Sequence, residues 1–342
     1  MKRLCDKCCD VLHILFDFVE HTESLRSTSR FFSFVLDQYL VRHCGSVDQL
    51  ISMSTQQTKR IEWCFHQNAL DIHRLADGIS GRNINSLSMS NVGACDHPGP
   101  TRAYSQLCTL QQLHLDGNRK RACFNTVAAI LSCFPNVTTA TLHLSHTIGW
   151  ENADNRGPFL GLHPLVLPVR ISHLSLDLSN NPLGARGCEA VIALVAPVVK
   201  QLHTLRLCLR AVAHLHLIES LPLRKLSELI GSNRQLYSLR IDISFNGLTR
   251  LDFYSLEDLM TPTLRTLHLS IAAAECEAGT VQRLVKHIAQ LKGLKELKLD
   301  LSYTRWSPAI RKLGLMQIRL SLVLVGVVFP SFRAYNECRR IL

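Results

Sequence analysis

The chain lacks any long hydrophobic run. Its longest apolar stretches, such as LSLVLVGVVF from Leu320 to Phe329, fall well short of the ~20 residues that cross a bilayer, so no membrane span is expected and this stretch reads as a last core strand. No secretory leader is expected either. Lys2, Arg3 and Lys7 precede VLHILFDFV, but His13 and Asp17 interrupt the apolar run and no small-residue cleavage site follows. The expectation is a cytoplasmic or nuclear protein.

Catalytic signatures are missing too. There is no GxxxxGKS or GxxxxGKT loop, no GxSxG elbow, no HExxH helix and no GxGxxG fingerprint, so the mechanisms behind those motifs have no foothold and the chain reads as a non-enzyme. Acidic residues are comparatively scarce: 38 Lys and Arg face 27 Asp and Glu, for a formal net charge of +11. Such a balance raises nucleic acid as a partner, because phosphate neutralisation dominates that affinity. Along the sequence, however, the cations are scattered. Short runs such as Arg119, Lys120 and Arg121 stand alone, and no aromatics interleave with them as a stacking platform requires. A solvated basic surface is the expected reading, with a basic nucleic-acid-binding protein as an alternative.

Thirteen cysteines are present, an odd number, and most sit singly. Cys123, Cys133 and Cys188 fall at apolar helix positions where a small buried thiol packs well. Cys5, Cys8 and Cys9 form a CxxCC cluster with His13, His43 and Cys44 further along, but no second CxxC follows at a finger-like spacing. These read as plain thiols, and neither a metal nor a cofactor is expected.

What is present is repetition. LQQLHLDGN from Leu110, ISHLSLDLSNN from Ile171, LHTLRLCLR from Leu202, LYSLRIDIS from Leu236, LRTLHLSI from Leu264 and LKELKLDLS from Leu294 share one pattern, with a degenerate copy, TATLHLSH, from Thr139. Aligned on the last core residue, the copies fall at Leu115, Leu144, Leu178, Leu209, Ile243, Ile271 and Leu301. A period of roughly 30 residues marks a solenoid. Within each copy apolar residues alternate, as in Leu297, Leu299 and Leu301, so each is a short strand with one buried face. Between strands the period changes. Ala185 to Gln201 and Glu275 to Leu291 place apolar residues three and four apart, as amphipathic helices do. Strands stack about 4.8 Å apart and helices about 8–10 Å, so the stack must bend with its strands on the inner, concave arc and its helices on the convex side.

Asn118, Asn181 and Asn246 each lie three residues past the last core residue, and LDLSNNPLGARGCEAV runs from Leu176 to Val191. On these residues the chain resembles the leucine-rich-repeat family, and within it the long ribonuclease-inhibitor-like class. The asparagine position holds Thr147, Val212, Ala274 and Thr304 in other copies. The resemblance implies an α/β horseshoe solenoid with a parallel concave sheet over residues 82–329, eight or nine units long. Before it come a helical amino-terminal cap or module at 1–50 and a linker with a degenerate first repeat at 51–81; a carboxy-terminal cap at 330–342 follows. A protein-binding scaffold is the function this implies, with a GTPase-activating regulator as an alternative.

At the amino terminus, Val11, Leu12, Leu15, Phe18 and Val19 make one helical stripe, and Phe31, Phe32, Val35, Leu36, Tyr39 and Leu40 make a second. DVLHILFDFVEHTESLRSTSRFFSFVL is similar to the F-box, matched at its end by Ser29, Arg30, Phe31 and Phe32, though the family's leading Leu-Pro is absent. That resemblance implies docking on a Skp-type adaptor of a cullin ubiquitin ligase through Leu12, Leu15, Phe18 and Leu25. The alternative is that these helices only cover the first repeat.

The outward residues of the last five full repeats supply the candidate site. Ser175, Arg206, Arg240, His268 and Lys298 form one column, with Asp177, Cys208, Asp242, Ser270 and Asp300 beside it. Arg206 comes within diagonal reach of Asp177 and Asp242, so the two ladders are expected to compensate one another. On this reading the partner-binding residues are Ser175, Asp177, Arg206, Arg240, Asp242, His268, Lys298 and Asp300.

Overall fold

The computed structural model describes residues 40–44, 46–56, 58–64, 72–79, 81–90, 92, 109–117, 124–146, 166–212, 221–272, 274, 278–301 and 324–328. Several expectations lie outside them: the paired amino-terminal helices with Leu12, Leu15, Phe18 and Leu25, the Cys5, Cys8 and Cys9 cluster, Asn118, Cys123, Thr147, Thr304 and the 330–342 cap.

Eleven five-residue strands form one parallel sheet in strict chain order: β1 (Leu40–Cys44), β2 (Arg60–Cys64), β3 (Ser86–Ser90), β4 (Gln112–Asp116), β5 (Thr139–His143), β6 (His173–Asp177), β7 (Thr204–Cys208), β8 (Ser238–Asp242), β9 (Thr266–Ser270), β10 (Glu296–Asp300) and β11 (Leu324–Val328). Parallel neighbours need a crossover, and helices supply it where the connection is described. Those helices are α1 (Val47–Met53), α2 (Ile72–Ile79), α3 (Phe124–Cys133), α4 (Gly184–Val195), α5 (Leu223–Gly231), α6 (Arg250–Ser255) and α7 (Ala278–Ala289). Successive helices touch, α1 on α2, α2 on α3 and then α4 through α7 in series, so they form a second layer over one face of the sheet. This α/β, all-parallel architecture is compatible with a solenoid. Among the described residues no helix is long and apolar enough to cross a membrane.

The period-two pattern sets which face is buried. Leu176, Leu207, Ile241, Leu269 and Leu299 are in-register neighbours on successive strands, each at most 2% exposed, and Leu174, Leu205, Leu239, Leu267 and Leu297 form a parallel buried column. Burying each such side chain contributes about 1.5–3 kcal/mol. Cys133 and Cys188 are buried as the helical pattern predicts. β11 lies inside the apolar run from Leu320 to Phe329 and pairs with β10 through a register shift between Leu297 and Leu299.

The sheet departs from the expected layout in two places. First, it begins before residue 51: Leu40, assigned above to a helical stripe, opens β1 inside the stretch expected to be a helical cap, while β2 falls within 51–81, where a degenerate first repeat is expected. Second, Leu115 pairs with Leu142, not Leu144, so the first clear copy sits two residues out of the expected alignment and buried Gly117 takes the last core position. The pattern LQQLHLDGN allows both registers; the missing side chain at Gly117 hid the right one.

Past each strand the backbone ladder continues into a turn. Leu144, Leu178, Leu209 and Ile243 donate their N–H groups to Asp177, Cys208, Asp242 and Ser270 of the next strand. Two residues further on, His146, Asn180, Ala211 and Phe245 take left-handed backbone (φ 52°, 57°, 52° and 61°), and their N–H groups reach the neighbouring turn. A buried asparagine then closes the turn. Asn181 donates to the carbonyls of Leu144 (2.7 Å) and Leu178 (2.9 Å). Asn246 does the same to Leu209 and Ile243, and accepts the Val212 N–H at 2.8 Å. These bonds satisfy backbone groups that the sheet leaves open inside the core.

Candidate functional site

The face away from the helices carries three outward columns. The middle one runs Ser175, Arg206, Arg240, His268, Lys298, and the next runs Asp177, Cys208, Asp242, Ser270, Asp300, in direct register on β6 to β10. Arg206, Arg240, His268, Lys298, Asp242 and Asp300 line one shallow depression of about 470 Å³ whose floor is the buried column Leu207, Ile241, Leu269 and Leu299.

Among the described residues no hydrogen bond or ion pair joins the two ladders. The acidic column is turned to the strand ends. Asp177 Oδ1 accepts the backbone N–H and the hydroxyl of Ser179 (2.9 and 2.7 Å), Asp242 Oδ1 accepts the Ser244 N–H (3.0 Å), and Asp300 Oδ2 accepts the Ser270 hydroxyl (3.0 Å). Ser270 and Ser244 hydroxyls lie 2.8 Å apart, and Ser244 Oγ accepts the Ala272 N–H. An Asp two residues before a turn amide closes that turn locally, and the local bond wins over a cross-strand arginine because it immobilises a shorter side chain. Arg206 and Arg240 are consequently exposed and, among the described residues, have no ion pair or side-chain hydrogen bond.

Glu296, absent from the residues expected above, partners the other two basic residues of the column, His268 and Lys298. Its Oε1 lies 2.8 Å from His268 Nε2 and 3.4 Å from Lys298 Nζ. Burial holds the His268 imidazole below its ordinary range, with Arg240 and Lys298 adding to it and Glu296 opposing it. The hydrogen bond from His268 in turn holds the Glu296 carboxyl down. The contact is thus a neutral imidazole donating to a carboxylate. Glu296 was legible in principle, because it lies two residues before Lys298 and so on the same face.

Cys208 is the thiol of the site, and its surroundings keep it protonated. Cys208 Sγ lies 3.8 Å from Asp242 Oδ2, and burial, reinforced by Asp177, pushes its thiol up to about 12. His114 and His143 sit close, ring centroids 5.1 Å apart, yet among the described residues no three His, Cys, Asp or Glu side chains converge as a metal would require. Nor do the cations remain scattered in space. Strand register collects residues some 30 positions apart along the edge where the strands begin.

Neither a protein-family model nor a curated protein sequence matches the chain. Among solved structures, a crystal structure of a protein from Bacteroides fragilis is similar at 16% identity, covering 82% of this chain and 68% of that one, with a TM-score of 0.41.

Proposed function

We propose that the protein is a non-enzymatic scaffold of the leucine-rich-repeat, ribonuclease-inhibitor-like kind that binds a protein partner on the helix-free, concave face of its sheet. The observation that carries this reading is the pair Arg206 and Arg240, in register on adjacent strands over an open depression and, among the described residues, without an ion-pair partner. An unpaired guanidinium fork is suited to bidentate contact with a carboxylate. A partner presenting an acidic segment fits it, with His268, Lys298 and the aspartate column setting orientation. In the more specific version, the residues from Cys8 up to the start of β1 are an F-box that docks a Skp-type adaptor and cullin ligase in the cytoplasm or nucleus while the repeats select the substrate.

Replacing Arg206 and Arg240 together with alanine tests the site. Partner capture should weaken by about 2–4 kcal/mol, as for central charged contacts, while the melting temperature stays within about 1 °C because both side chains are exposed and unpaired. Unchanged capture removes the site. Recovery of adaptor and cullin through residues 1–50 supports the F-box version; a nucleotide-dependent small GTPase recovered instead would replace it with the activator.

A further inference from the structure

The edge of the sheet where the strands begin carries a second surface. The residue just before each strand from β3 to β10 donates its backbone N–H to the carbonyl of its counterpart one strand earlier, at 2.7–3.1 Å, which makes an unbroken row from Lys59, the first acceptor, to Lys295. The last four members of that row are His203, Tyr237, Arg265 and Lys295. Three residues upstream of three of them stand Lys200, Arg234 and Lys292, and Arg170 lies in the loop before β6.

These six cations, Arg170, Lys200, Arg234, Arg265, Lys292 and Lys295, are all exposed and have no ion pair or side-chain hydrogen bond among the described residues. The loops that hold them, 166–172, 199–203, 232–237, 260–265 and 290–295, contain no Asp or Glu. Within the same row Tyr237 is 41% exposed and stacks on His203, with ring centroids 6.1 Å apart and planes at 25°. His173 continues the aromatic line, 6.1 Å from His203.

We propose that this edge binds single-stranded nucleic acid, the six cations taking phosphates and the exposed ring of Tyr237 taking a base. The row advances by about 4.8 Å per strand, so its charges recur at intervals a flexible polyphosphate can follow, and stacking on an aromatic is tolerant of sequence. The ring among the cations is what favours nucleic acid over an acidic protein, which would use the charges alone. It differs from the arginine pair of the open face in both residues and ligand. An anionic membrane is the competing occupant, because Val166 and Val169 are exposed in the loop that holds Arg170.

The test is fluorescence anisotropy with a labelled ~20-nucleotide oligo-dT and its RNA counterpart, read at several salt concentrations. Six phosphate contacts on a single strand give a slope of log K against log salt of about −4, which Arg234→Ala, Arg265→Ala and Lys295→Ala together should halve, with about 100-fold weaker binding at ~0.1 M salt. Tyr237→Ala should weaken binding by about 5- to 100-fold at unchanged slope, and Tyr237→Phe should restore it. Melting temperatures check that these exposed substitutions leave the fold intact. The proposal is overturned if wild type fails to bind the oligonucleotide at low salt, if Tyr237→Ala has no effect, or if phosphatidylserine vesicles bind more tightly than the oligonucleotide. It is also overturned if Arg206→Ala with Arg240→Ala costs more affinity than the edge triple, for then the anion belongs to the open face.

Discussion

Single side chains decide how each repeat closes. Asn246 is buried, and its amide donates to Leu209 and Ile243 while its carbonyl accepts from Val212. Asn246→Leu keeps a similar volume but leaves one N–H and two carbonyls without that partner. Each buried group stranded in this way costs about 1–3 kcal/mol, so a loss of about 3–5 kcal/mol is expected, measurable as a lowered denaturant midpoint. A variant within 1 kcal/mol of wild type would mean that water reaches the turn. Asn233 plays the corresponding part on the helix side, donating to Val199 and Leu202 and accepting from Gln235 and Leu236. Nothing in the sequence marks Asn233, because it falls in a turn after α5 where an asparagine is commonplace. Asn181 and Asn246 were visible only because they recur at one offset from the leucines.

Among the elements, the strands were the legible part. A two-residue alternation repeated at similar spacing fixes both the buried face and, from β6 to β10, the neighbour of every outward residue, so the two side-chain columns could be written down in advance. Their chemistry could not. Whether an aspartate pairs with an arginine one strand away or with the turn amide two residues ahead depends on turn geometry, which alternation does not encode. β1 escaped notice, and β2 was legible only as part of a degenerate repeat, for a related reason: LVRHC and RIEWC carry His43 and Trp63 where the later copies carry leucine, so the pattern of leucines passes over them. Helix packing was equally silent. At Gly231, the end of α5, an added Cβ would sit 2.1 Å from the Asp258 carbonyl oxygen, so the helix and the short 3-10 turn Leu256–Leu259 approach at a point only glycine permits. Gly231→Ala forces the two apart, and overpacking of this kind costs about 1–3 kcal/mol. Because the clash is with backbone, urea unfolding should register it even though no polar contact is lost; an unaffected midpoint would show that the layer has slack.

For the whole molecule, acid should be destabilising. Burial holds His114, His173 and His268 below the ordinary imidazole value of 6.5, helped in the first two by the neighbouring histidines His143 and His203. Between the lowered folded values and 6.5 the unfolded chain binds more protons than the folded one, so stability is full above about pH 7 and falls as pH drops through the window beginning near 6.5. Denaturation midpoints from pH 7.5 to 5.5 should decline, and replacing the three histidines with glutamine should flatten that slope; an equal slope in the variant would assign acid sensitivity elsewhere. The strict chain order of the sheet carries a consequence of another kind, for heredity. Each strand lies beside its sequence neighbour in the same register, so a tandem duplication of one unit of roughly 30 residues inserts a rung into the apolar column, the arginine column and the cationic edge in a single event, and no existing rung changes its side-chain environment except at the seam. A lineage can therefore lengthen or shorten both surfaces together by copying or deleting whole units, whereas a sheet with crossed strand order would have to rebuild its pairing to gain the same strand.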